Sequence, residues 1–187
     1  MRVGYANLVT GGRLILVAFV ASLASQPAVP AVAWTAVVVG TIAALLDIAD
    51  GWIARRTGTA TAFGARFDME VDAVLIMVLA ALAWAWGKAG AWVLVSGLLR
   101  YGLVVGGWLL PWLRNPLPPS LRRKTICVVQ IVALLVVLGP IVRPPLSTLV
   151  AALGLVILCY SFFVDTLWLW RDSTRTRARG PAFPSWS

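Results

Sequence analysis

Five of the seven acidic residues in this chain stand in one short stretch, DIADGWIARRTGTATAFGARFDMEVD, which runs from Asp47 to Asp72. On a helix, Asp47 and Asp50 share a face with Gly51 and Ala54, where the lack of side-chain bulk lets a large group approach the backbone. Asp68 and Asp72 share a second face, one turn apart, and Gly64 lies one turn earlier on it. Four carboxylates brought together in this way repel one another. Divalent cations relieve that repulsion, and an oxygen-only donor set without His or Cys suits Mg²⁺ or Mn²⁺. A two-metal site of this kind suits displacement at phosphorus, with the ions stabilising the attacking and leaving oxygens. Arg55, two turns and a residue beyond Asp47, is placed to pair with a phosphate from the same helix. Glu70 points away from the Asp68–Asp72 face and follows Arg66 by four residues, which predicts an ion pair along the helix.

The elements that must position these acids are membrane helices. With 60% hydrophobic and only 12% charged residues over 187 positions, the chain is too apolar for a soluble domain. Apolar runs near 12–27, 32–50, 66–87, 90–112, 125–142 and 146–169 predict an all-α integral membrane protein. The expected architecture is a six-transmembrane-helix bundle spanning residues 1–170, with both termini cytoplasmic. The remainder, 171–187, is a basic cytoplasmic tail expected to be disordered. Carboxylates near a membrane are costly, so their concentration in one place argues for function. Met1 to Thr10 reads as an amphipathic start at the interface. The run after it lacks a good cleavage site and reads as a span, not a signal peptide.

The net charge of +9 does not point to nucleic acid. If the spans alternate, Arg13, Arg55, Arg56, Arg66, the Arg122–Lys124 run and the arginines of the tail all fall on one side. Lys88 and Arg143 alone mark the other. This is the positive-inside bias, and it places the acids on the cytoplasmic face of an inner membrane. Cys127 and Cys159 lie in apolar runs and read as small hydrophobes. Histidine is absent, which removes His-based triads, relays and zinc sites. A divalent-cation transporter using the same carboxylates is a rival reading, although it leaves Arg55, Gly51 and Gly64 unexplained. A catalytically silent membrane scaffold is another.

The acids and their neighbours follow the pattern D-x-x-D-G-x-x-A-R, eight residues, then G-x-x-x-D-x-x-x-D. Asp47, Asp50, Gly51, Ala54, Arg55, Gly64, Asp68 and Asp72 fill it without departure. The chain therefore resembles the CDP-alcohol phosphotransferase family of membrane enzymes in phospholipid synthesis. Asn7, Thr10 and Arg13 are similar, more weakly, to the N-x-x-T-x-x-R that often opens the family's first span. The resemblance implies transfer of a substituted phosphate from a CDP-alcohol to an alcohol acceptor, with release of CMP. It implies that Asp47, Asp50, Asp68 and Asp72 hold two divalent ions and that Asp72 is the general base. It also implies that Gly51, Ala54, Arg55 and Gly64 line the nucleotide site, and that the protein is a homodimer. CDP-diacylglycerol is the preferred donor, because the acids lie at the membrane boundary.

On the acceptor side, Arg100 stands mid-way along the fourth apolar run. It either snorkels, pairs with Asp165, or binds a phosphate. Arg122, Arg123 and Lys124 either form a basic pocket with Arg66 and Arg100 or anchor a helix to anionic lipid. Such a pocket suits glycerol phosphate or inositol phosphate better than serine. Tyr101 after Arg100 departs from the Arg-Glu pair of the family's glycerol-phosphate enzymes, which counts against that acceptor.

Overall fold

The computed structural model describes residues 5–57, 62–114 and 120–178 of the chain. Six α-helices follow one another: α1 (Tyr5–Ser22), α2 (Pro30–Thr57), α3 (Ala62–Ala85), α4 (Val95–Leu109), α5 (Leu121–Leu138) and α6 (Leu146–Ala178). No strand occurs among the described residues. Among the described residues, three stretches are long and apolar enough to cross a membrane: Pro30–Gly51, Ala91–Leu109 and Leu146–Thr174. The other three helices lie where spans were expected but fall short of that standard. The apolar part of α1 is only Gly11–Ser25. α3 carries Asp68, Glu70 and Asp72, and the 18 residues of α5 begin with the Arg122–Lys124 run.

Among the boundaries that differ from expectation, which include the start of α1 at Tyr5 and the end of α2 at Thr57, two have clear reasons. The fourth run opens with a 3-10 turn at Ala91–Leu94, so its α-helix starts only at Val95. The tail is helical through Ala178, because nothing from Arg171 to Ala178 breaks a helix. The remaining tail residues, 179–187, lie outside the described ones, as does most of the polar linker at 58–61.

Side-chain periodicity explains the packing. On α1, Arg13, Val17 and Val20 are buried at i, i+4, i+7 spacing, so the arginine belongs to the same inward face as the valines. α2 turns the small Ala33, Ala36 and Ala43 inward in line with Asp47, which lets neighbouring helices come close. α3 supplies Val71, Leu75, Leu79 and Leu82 to the core, and α5 supplies Ile131, Leu134 and Leu138. At Gly97 of α4, a Cβ would stand 2.7 Å from the Cα of Met77, so only glycine permits this approach to α3.

Among the described residues, α2 and α3 touch each other only sparsely. α1 packs against both from one side and α5 from the other. The side chains between them, Arg13 above all, take up the space that direct packing would close. At the far end of α3, Gly87 adopts φ +66° and the Lys88 N–H donates to the Ala83 carbonyl at 2.9 Å, a left-handed helix stop. Lys88 then donates from Nζ to the carbonyls of Gly139 (3.1 Å) and Val142 (2.5 Å), while its own carbonyl accepts from Ser147 Oγ at 2.7 Å. That residue ties the end of α3 to the α5–α6 turn.

Candidate active site

The acids meet around a residue of α1. Arg13 is 1% exposed and sends its guanidinium between α2 and α3. Its Nη1 donates to Asp47 Oδ1 and to Asp68 Oδ1, each at 2.6 Å, and its Nη2 donates to Asp72 Oδ1 at 2.8 Å. Its Nε donates to the Ala43 carbonyl at 3.2 Å, which fixes the plane of the group against α2. Short charge-assisted bonds of this kind are the strong ones. The Asp47 and Asp68 carboxyls also lie within hydrogen-bonding reach of each other. Three of the four acids predicted from the pattern are thus brought to one point.

Asp50 completes the group without sharing the guanidinium. It interacts electrostatically with Arg13 and Asp68, but its buried Oδ2 has no hydrogen-bond partner. A buried carboxylate oxygen left unpaired is costly, and it marks a place where a cation would be accommodated. In donor type, therefore, the residues fit a hard divalent ion: four carboxylates, one oxygen of which is unclaimed. As they stand around Arg13, no three acidic, histidine or cysteine side chains among the described residues close on a single metal position.

α5 forms the remaining wall. Cys127 Sγ lies 4.0 Å from Asp72 Oδ2, and Lys124, one turn earlier, acts electrostatically on the same carboxylate. Both cysteines are free thiols. A cavity of about 100 Å³ borders Asp47 and Asp72 and is otherwise walled mainly by apolar side chains, among them Leu45, Ile48, Val128 and Val132. Leu45, Ile48 and Val132 also stand exposed on the outer, apolar surface of the bundle, so this cavity lies between that surface and the acids.

A family model described as CDP-alcohol phosphatidyltransferase matches residues 3–164. The chain belongs to that family. No curated protein matches it. As a CDP-alcohol phosphatidyltransferase it is a transferase of lipid synthesis, of a family that is generally dependent on divalent cations. Membership favours an enzyme over the transporter and scaffold readings.

The other predicted site residues are distributed unevenly. Gly51 and Gly64 stand on α2 and α3 beside the acids, whereas the side chains of Ala54, Arg55 and Arg66 lie outside the described ones. Arg100 does not pair with Asp165. It donates through Nη2 to Glu70 Oε1 across the α3–α4 contact, so the described partner of Glu70 is on another helix rather than at Arg66. Asp165 instead accepts from Arg122, which also donates to Ser161 Oγ at 3.1 Å, and Arg123 approaches Asp165 at 3.8 Å. Arg122 and Arg123 thereby bind α5 to α6. Arg13 was legible as a basic residue at the start of a span and as the last position of the weaker N-x-x-T-x-x-R similarity, but not as a partner of the acids. The missed signal was its i, i+4, i+7 register with Val17 and Val20, which puts a charge on a core-facing stripe.

Proposed function

We propose that this transferase moves a phosphatidyl group from CDP-diacylglycerol to the hydroxyl of a phosphorylated polyol, in the manner of glycerol phosphate or inositol phosphate, releasing CMP. The observation that carries this reading is the convergence of Asp47, Asp68 and Asp72 beside an Asp50 oxygen with no partner. Asp47, Asp50, Asp68 and Asp72 would hold two Mg²⁺ or Mn²⁺ ions, which supply charge stabilisation for the attacking and leaving oxygens. Asp72 accepts the proton of the acceptor hydroxyl as that oxygen bonds to the lipid-side phosphorus and the bond to the CMP oxygen breaks. Gly51 and Gly64 leave room for the nucleotide, and Arg55 pairs with its diphosphate. The apolar cavity beside Asp47 and Asp72 supports a lipid donor over a soluble one.

The acceptor is proposed from the basic groups nearest the acids. Lys124 acts electrostatically on Asp72 and is not among the described residues tied to Asp165, so it is the first candidate for an acceptor phosphate. The active site faces the cytoplasm in a six-span dimer of the inner membrane, a topology supported by the charge bias of the loops.

Purified protein with CDP-diacylglycerol and Mg²⁺ or Mn²⁺ tests this directly. CMP release should depend on metal, appear with glycerol phosphate or inositol phosphate, and vanish in Asp72→Asn. Release only with serine or with unphosphorylated inositol would overturn the acceptor assignment. Release only from CDP-choline would overturn the donor.

A further inference from the structure

Arg13 is the largest fully buried side chain among the described residues, and the proposed reaction gives it no part. It nevertheless satisfies an oxygen of three carboxylates that lie 34, 55 and 59 residues away in sequence. Its single charge cannot balance four acids, and the Asp50 Oδ2 it leaves unpaired is buried. A guanidinium at 2.6–2.8 Å from Asp47, Asp68 and Asp72 competes for the same oxygens that a cation would need.

We infer that Arg13 is a tethered counter-cation: it holds Asp47, Asp68 and Asp72 together in the metal-free protein and gives up at least part of that contact when divalent ions bind. Arg13 is thus a positioning residue that sets the metal affinity of the site. The inference rests on the metal-dependent reading above and adds a competitor to it. The physical logic is mutual exclusion. Without Arg13 the metal-free acids repel one another, so the empty site is destabilised and ion binding gains by the same amount. The Nε bond to the Ala43 carbonyl lets the side chain stay anchored to α2 while its terminal nitrogens exchange partners.

The test compares full-length wild type with Arg13→Gln in detergent. Bound Mn²⁺ is read from the loss of the free-ion electron paramagnetic resonance signal, and thermal unfolding is followed with and without Mn²⁺. Arg13→Gln should bind Mn²⁺ about tenfold more tightly or better, since a charge at contact distance is removed from the competition. Its metal-free melting point should fall, and the gap to wild type should close at saturating Mn²⁺. Arg13→Lys serves where the glutamine variant does not fold: one ammonium cannot bridge three acids, so its Mn²⁺ affinity should lie above wild type. Equal or weaker Mn²⁺ binding in the variants, or a melting gap that persists at saturation, would overturn the inference while leaving a metal-binding enzyme. Absence of Mn²⁺ binding in wild type and variants alike would remove the metal reading itself, and this inference with it.

Discussion

The two ends of α3 each gather a cation, and the two are satisfied in opposite ways. Beyond its C-terminal end, Lys88 donates to the neutral carbonyls of Gly139 and Val142, which have no other role than to be bonded. Near its N-terminal end, Arg13 meets the carboxyl groups of three acids at hydrogen-bonding distance, with a fourth left short of a partner. Carbonyl dipoles that close a turn make a cation a permanent fastener. Carboxylates in excess of the cation's own charge make it exchangeable. The buried Arg13 group is thus where chemistry is expected, although both cations look alike in a sequence.

The sharpest way to break this contrast is to remove charge at the Arg13 end. Asp72→Asn should lower CMP release by about 10²–10⁴-fold while donor binding persists, because proton acceptance is lost and the shape is kept. Equal loss of binding and turnover would make Asp72 a ligand only. Next in size is Lys88→Met, which strands the Val142 carbonyl, leaves the Gly139 carbonyl only its bond from the Val142 N–H, and should cost about 1–3 kcal/mol of stability. Its CMP release per folded molecule should match wild type; a fall in rate with no fall in melting point would show the two ends to be coupled. Smallest is Glu70→Gln. Glu70 is 46% exposed, so its pair with Arg100 is screened and its loss should cost about 0–1 kcal/mol. A larger loss of activity than of stability in that variant would return Arg100 to the acceptor site.

Much of this was legible in the sequence, for reasons that are themselves physical. Hydropathy located the six helices because apolar runs and loop residues alternate sharply. The spacing of Asp47, Asp50, Asp68 and Asp72 placed each pair on one helical face because three- and four-residue intervals fix such a face, and Asp47, Asp68 and Asp72 do come together around Arg13. What sequence could not supply was partnership across helices. Asp165 was weighed as a partner for Arg100, but α5 packs along α6 and delivers Arg122 to it first. Arg13 reads locally as a membrane-flanking arginine, and only the wedging of α1 between α2 and α3 turns it inward. Of the tail expected to be disordered, the described part Arg171–Ala178 continues α6, because it holds no Gly or Pro to stop the helix.

α2 runs unbroken for 28 residues, about 42 Å of rod, against a hydrocarbon layer about 30 Å deep. Measured along that rod from Pro30, Asp47 and Asp50 stand roughly 26 and 30 Å away. The helix is therefore a ruler whose marks fall at the opposite water boundary when Pro30 rests at the first. On the proposed reading of the acids, bilayer thickness becomes a reaction variable: lengthening the surrounding acyl chains would sink the acids below the waterline, and shortening them would lift the acids clear, with no residue changed.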